Sequence, residues 1–488
     1  MFFRMEKTRV WEKHYWQVFF LLFLSSFFIF LATWHGVFQG YERETADAAL
    51  ALLDGRYEIK RAGLGAVVLY VPFALIGFAF SPRHLSTFLT LVPLFYSALE
   101  VAMIFLCLNR LTKQITTSVA VSLLIAFGSS LWPYSTIGME YQAGLLVSVL
   151  FLALLRWRDG DGSILTVGII AAYLAITKSY GSVGLLASVV SVFFVMYDRQ
   201  KINWKKFGQT MLPLVAPAIV LLGLQVTLNI WLYGQASGAY SLAHEFQLWN
   251  WWEGFYGFFF SAGKSIFLYN PLLVVALFLW PKFCKRDPMI GLFVITILIL
   301  LLLINAPFSY WTDETWGPRK LVPIIALLHL PLIELWAVKR AKLMWGIIGL
   351  LAVGAIYVQF LGSAYNYDRE LIFLRSVNMD SLASIRFIPE LSHEYVYHRL
   401  WSGYIGIGSD QFVYSEPSWF RWTVPGERDV VLRGAKASLR PWVKPDILWL
   451  TGGGGYKKII LTFLMLGAAG SIWSIYYICR KNKAGLFA

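Results

Sequence analysis

The chain has 488 residues, 58% of them hydrophobic, 17% aromatic and only 14% charged, and its mean hydropathy is +0.60. No water-soluble domain of that length tolerates such a surface, so the composition points to a polytopic membrane protein. The formal net charge of +14 would suit a nucleic-acid binder, but most Lys and Arg sit in short loops between apolar runs, where they orient helices by the positive-inside rule, and the reading is against nucleic acid.

The first apolar run, 15–38, follows Arg4, Lys7, Arg9 and Lys13. It is too long for the core of a signal peptide and lacks a small-residue cleavage site, so it reads as a retained helix with its N-terminus in the cytoplasm. A first outer loop follows at 38–62. Segment 63–80 is apolar enough to span, yet counting it as a crossing would turn every later basic loop outward; it reads as re-entrant or half-inserted, the alternative being a short extra crossing within 115–140.

With about 20 residues needed to cross ~30 Å of hydrocarbon, the remaining spans fall at 86–108, 115–133, 141–157, 163–178, 180–197, 209–233, 267–281, 288–306, 320–337, 343–364 and 459–479. The loops LNRLTKQ, RWRDGDG, YDRQKINWKK, PKFCKRD and AVKRAK and the C-terminal CRKNK then share one basic, cytoplasmic side. The expected fold class is an all-α polytopic membrane protein of about 12–13 transmembrane helices with a small outer-face domain near the C-terminus. Its parts are a transmembrane core over 1–364, an extracytoplasmic domain over 365–457 rich in aromatics, Arg and Pro, and a final helix with a cytoplasmic tail over 458–488, entered through the glycine hinge TGGGGYKK.

The strongest constellation of reactive groups lies in the first outer loop. Residues 44–54 place Ala46, Ala49, Leu50 and Leu53 on one face at helical spacing, which predicts a short helix lying on the membrane with Glu42, Glu44 and Asp47 near its start. A carboxylate there can act as a general base, and a second can orient the reacting hydroxyl or hold a divalent metal. Glu44, which opens the helix and faces the same way as Asp47, leads Glu42 and Asp47 as the base. The plainer account is that these acids only favour a helix N-terminus, worth ~0.3–1 kcal/mol each. Glu140, at a later helix start, is a candidate partner for them or another solvated helix-start acid.

Cations on the outer side oppose the topological bias. Lys60, Arg61, Lys178 in AITKSYG, Lys264 in FSAGKSIFLYNP, and Arg319 with Lys320 in WGPRK all fall there. A lipid phosphate fits, since Arg grips phosphate bidentately and Lys acts as a point charge; the competing account is snorkelling to headgroups. Trp311 and Trp316 flank Asp313 and Glu314, and aromatic faces beside carboxylates suit a sugar ring, although Trp also populates interface belts. Seven scattered histidines show no paired ligand spacing. No nucleotide-binding loop or nucleophile elbow is present, and the three cysteines, each beside a basic loop, form no disulfide framework.

The first-loop acids, Glu140 and the FSAGKSIFLYNP and WGPRKLVP loops resemble elements of the C-type superfamily of integral-membrane glycosyltransferases. The resemblance covers most of the helical region. It implies an inverting transferase on the extracytoplasmic face of a bacterial inner membrane, taking a sugar from a polyprenyl-phosphate donor to a glycan, lipid or protein acceptor. A first-loop carboxylate would serve as base, and Lys60, Arg61, Glu140, Lys178, Lys264, Trp316 and Arg319 would hold substrate. It fixes no cofactor and leaves room for a divalent metal. Two departures stand out: the first loop reads Tyr41-Glu42-Arg43-Glu44 where members often carry Asp, and 365–457 matches no acceptor-binding domain. A transporter or flippase of lipid-linked sugars is the second reading, favoured by Glu100 and Glu334 inside apolar runs, and a non-catalytic envelope scaffold is the third.

Overall fold

The computed structural model describes residues 3–37, 42–56, 63–80, 82–178, 180–199, 204–235, 246–247, 249, 251–308, 311, 315–336, 342–366, 392–404, 445–447 and 455–484. These residues are overwhelmingly helical, with one isolated antiparallel bridge between Phe246 and Phe308. The helices are α1 (Phe3–Ala32), α2 (Glu42–Leu53), α3 (Leu64–Phe80), α4 (Leu85–Leu89), α5 (Val92–Thr112), α6 (Ile115–Gly128), α7 (Leu131–Ile137), α8 (Tyr141–Arg158) and α9 (Ile164–Thr177) in the first part of the chain. They continue as α10 (Ser182–Arg199), α11 (Trp204–Tyr233), α12 (Trp251–Phe260), α13 (Leu272–Arg286), α14 (Pro288–Asn305), α15 (Val322–Leu328), α16 (Lys342–Ala364), α17 (His393–Tyr404) and α18 (Gly455–Ala484).

Among the described residues, seven helices are long and apolar enough to cross a membrane, and an eighth span is formed if the bent pair α6–α7 is counted as one. The chain is an integral membrane protein of the all-α polytopic class. Several segments expected as full spans are shorter apolar helices: α9 has 14 residues and α13 has 15. The re-entrant segment expected at 63–80 is the 17-residue helix α3, which carries Pro72.

Two expected spans are broken, each for a local reason. Segment 115–133 bends by 53° between α6 and α7. The Gly128-Ser129-Ser130 sequence releases the helix there, and the Asn270 side chain accepts from both Ser130 N and Ser130 Oγ, at 2.7 and 3.0 Å, so the freed groups are satisfied by protein. Segment 320–337 is not one helix but a 3₁₀ turn at Arg319–Leu321, the short α15 and a second 3₁₀ stretch at Leu330–Leu335. Pro323 and Pro331 supply no amide hydrogen, and each sits in the first turn of a new piece. All of 319–335 except Lys320 is buried, which is where a membrane tolerates irregular backbone.

At the centre, α5 packs on α1, α6, α7 and α8. The N-termini of α5 and α8 lie together, because Gly138, just before α8, abuts Pro93 of α5. α11 and α18 sit at the periphery and expose Leu212, Ile219, Trp231, Phe463 and Trp473, as lipid-facing helices do. Of the outer domain expected over 365–457, the described helix α17 packs on α16 through Phe360 against Trp401 and Tyr357 against His398, and Asp446 bonds the end of α16 at the Ala364 carbonyl and the Asn366 amide; most of the rest of that expectation lies outside the described residues.

Candidate functional site

The end of the bundle that holds the N-termini of α5 and α8 gathers buried carboxylates and cations from four segments. α2 presents Glu42, Thr45, Ala46 and Ala49 on its buried side. Glu42 belongs to that stripe because it precedes Ala46 by four residues and Ala49 by seven. Its Oε1 accepts from Tyr70 of α3 at 2.5 Å and from Tyr141 of α8 at 2.9 Å, with the Gln142 amide at 3.4 Å. Burial raises the Glu42 carboxyl above the ordinary carboxylate range, against the pull of Lys178 and of the two tyrosine hydroxyls; the nearby charge of Glu140 raises it further.

Glu140 is placed by an unusual backbone. α7 ends at Gly138, φ +81°, and Glu140 itself adopts φ +63°, a left-handed conformation that costs a non-glycine residue about 1–3 kcal/mol. The turn starts α8 but leaves the Glu140 side chain free of any capping role, and it points inward instead. A Cβ at Gly138 would lie 3.1 Å from Pro93 and 3.2 Å from the Glu42 side chain, so the turn fits closely under α2.

The Glu140 carboxylate accepts from Arg319 Nε at 2.8 Å and from the Tyr180 hydroxyl, and Lys178 Nζ stands 3.8 Å away. Burial would push this carboxyl up, but Lys178, Arg319 and Lys320 hold it down to about 2, so it is ionised. Arg319 is fixed from behind. Tyr134 of α7 donates to the Trp316 carbonyl at 2.6 Å and lies 3.0 Å from Thr315 Oγ1, while Lys264 donates to the Thr315 carbonyl. The loop 315–319 is therefore clamped from two sides before it delivers Arg319.

The structure thus brings Glu42, Glu140, Lys178 and Arg319 together and separates other residues expected at the site. Asp47 lies on the outer side of α2, paired with Arg43 at 3.7 Å, both strongly exposed. Glu44 is half-buried on a different strip of α2 from Glu42. Lys264 is fully buried as a clamp on the 315–319 loop. Trp316 is also fully buried: its ring stacks on Tyr397 at 5.5 Å and 13°, meets Tyr269 edge-on, and has Gly362 against it, so it serves interior packing where a sugar-facing surface was expected. Trp311 is packed on Phe258 and donates to Glu253 at 3.2 Å. Lys60, Arg61, Asp313 and Glu314 lie outside the described residues.

Sequence reasoning missed the tyrosines. Tyr70 from within α3, Tyr141 from the start of α8 and Tyr180 from the turn before α10 supply hydroxyl donors to the two buried acids. Tyr141, directly after Glu140, was the one visible hint. His393 of α17, kept neutral by burial and then by Lys264, lies 6.3 Å from the Trp316 ring, so part of the 365–457 segment reaches this end of the bundle.

Among the described residues no group of three or more His, Cys, Asp and Glu comes together as a cation-binding set. The donor chemistry at the cluster does not suit a divalent metal: cations crowd Glu140, and hydroxyl and amide donors occupy Glu42. No protein-family model and no curated protein compared with the chain gives a match.

Proposed function

We propose that the chain is a membrane glycosyltransferase of the C-type kind, moving a sugar from a polyprenyl-phosphate donor to a glycan, lipid or protein acceptor at the extracytoplasmic end of the bundle. The reading is supported above all by the meeting of Glu42 and Glu140 with Lys178, Arg319 and Lys320 at one end of the helices. Glu42 is the base in this proposal. Its burial raises its proton affinity, which suits removal of a proton from an alcohol near neutral pH. The acceptor oxygen bonds to the anomeric carbon while the bond from that carbon to the phosphate oxygen breaks, the proton goes to Glu42, and the lipid phosphate departs with both bonding electrons.

Lys178 and Arg319 are the groups to receive that phosphate. Lys178 stands at 3.8 Å from Glu140 with its side chain 21% exposed, so it can turn toward a phosphate without leaving the cluster. Glu140 orients the cations and carries no proton-transfer role. The transporter or flippase reading rests on Glu100, because Glu334 is taken by Lys282 at 2.9 Å and by Arg286.

Release of polyprenyl phosphate from a panel of polyprenyl-phosphate sugars, measured on protein in lipid nanodiscs, tests the assignment. Glu42→Gln should slow release about 10²–10⁴-fold, with the wild-type apparent affinity for donor kept. Normal release by Glu42→Gln would remove the base and with it the mechanism. Orientation is tested by cysteine labelling with an impermeant reagent on intact cells: Asp47→Cys should react and Asp161→Cys should not, and the reverse pattern would place the cluster in the cytoplasm.

A further inference from the structure

Glu100 lies eight residues into α5, within a membrane span, and its carboxylate sits over Gly144 of α8. A Cβ at Gly144 would come within 2.7 and 2.8 Å of the two carboxylate oxygens, so glycine is what makes room for this acid. Glu100 is 3% exposed and has no hydrogen-bond or ion-pair partner among the described residues.

The surroundings are polar in an unusual way. Ser97 precedes Glu100 by one turn on the same face, and Ser148 follows Gly144 by one turn. Both serines are buried, and neither hydroxyl oxygen has a partner among the described residues. Cys107 Sγ reaches the Ser148 carbonyl at 3.6 Å, which holds α5 and α8 together along the seam.

Among the described residues, the charged and titratable groups of the elements packed on α5 are engaged elsewhere. On α8, Tyr141 bonds Glu42, Arg156 donates to the Asp161 carbonyl, and Arg158 pairs with Asp159 and Asp287. Tyr134 of α7 is tied to Trp316, and Glu334 of the second 3₁₀ stretch to Lys282 and Arg286. α6 has no ionisable side chain; on α1, whose side chains are described from His14 on, His14 pairs with Gln17 and the Tyr15 ring packs on Phe105, more than one turn along α5 from Glu100. An isolated carboxylate buried inside a span takes up a proton in preference to remaining charged, and buried hydroxyls without protein partners are the groups that hold internal water.

We propose that the α5–α8 seam is a proton-binding site in the membrane interior, with Glu100 holding the proton as a carboxylic acid and Ser97 and Ser148 holding the water that carries it. Uptake moves one proton from a hydronium ion to a Glu100 oxygen and leaves a water molecule; release reverses the step. The site is distinct from the Glu42–Glu140 cluster and does not depend on the transferase reading.

Infrared difference spectroscopy of the full-length protein in lipid bilayers at neutral pH tests this. The wild type should show the carbonyl stretch of a protonated carboxylic acid, lost in Glu100→Gln and moved in frequency by Glu100→Asp, which guards against a variant that merely misfolds. Transfer to D₂O should shift the Glu100 band, and the Ser97→Ala, Ser148→Ala double variant should slow that shift at least severalfold. A Glu100 signal found only as carboxylate would overturn the proposal. So would an acid band that never shifts in D₂O, because that describes a sealed acid with no exchange.

Discussion

Two ends of the same helices handle charge in opposite ways. At the C-terminal end of α5 and α8, Arg110 pairs with Asp159 at 2.8 Å and Asp161 at 2.7 Å, and Arg158 with Asp159 at 2.9 Å and Asp287 at 2.5 Å, all partly open to solvent. These pairs join three basic loops, LNRLTKQ, RWRDGDG and PKFCKRD, in a local network whose partners neutralise one another. At the N-terminal end, Glu42 and Glu140 are buried, tyrosine hydroxyls take part in holding them, and the cations arrive from segments far apart in sequence. A solvent-screened network is what helix ends need for anchoring; buried acids held at a cost to the backbone are what a reactive site needs.

Exchanging single groups at each end should separate the two kinds of charge. The largest effect expected is on rate: Glu42→Gln should lower transfer about 10²–10⁴-fold, while Asp47→Asn, on the exposed side of α2, should leave it within twofold, both read by release of lipid phosphate. Next comes stability. Glu140→Gln leaves the buried Arg319 without its carboxylate and should cost about 3–5 kcal/mol, whereas Asp161→Asn at the other end should cost about 0–1 kcal/mol; denaturant unfolding in detergent separates the two.

The pH dependence carries a sign that differs between the two acids. Glu140 is held far below the ordinary carboxylate value, so its contribution to stability is complete above that value and is lost as pH falls toward about 2. Glu42 is raised, so its burial favours the folded state least once pH exceeds its folded value, and the rate limb for base catalysis should lie above the ordinary carboxylate range. Tyr141→Phe removes a hydroxyl that favours the ionised form, so that limb should move to higher pH; a limb that stays fixed would show that the hydrogen bond does not tune Glu42.

Much of the scaffold was legible, because spans announce themselves as long apolar runs and basic loops fall between them. The failures have local causes. Proline at 323 and 331 broke an apolar stretch that hydropathy alone reads as one helix, and Gly128-Ser129-Ser130 bent another. Within the first loop, placing Glu44 ahead of Glu42 rests on a helix that begins at Glu44; α2 begins at Glu42 instead, and the stripe 42, 45, 46, 49, present in the sequence, lies on its buried side. The Glu140–Arg319 pair is separated by 179 positions and rests on a left-handed turn that only tertiary packing stabilises. Trp316 illustrates the reverse problem: its neighbours in sequence suggested a ligand surface, while Tyr397 and Gly362, distant in sequence, bury it.

The claim that the N-terminal end of α5 and α8 receives an anionic lipid is tested most directly by binding of polyprenyl phosphate, the product common to every donor of the proposed kind. Binding to wild type, Arg319→Ala, Arg319→Lys and Arg110→Ala in nanodiscs of neutral lipid should weaken by about 1.5–3 kcal/mol in Arg319→Ala, through loss of a charge-assisted contact, by less in Arg319→Lys, and not at all in Arg110→Ala. Equal affinity in all four proteins would contradict the account and leave Arg319 as a structural partner of Glu140.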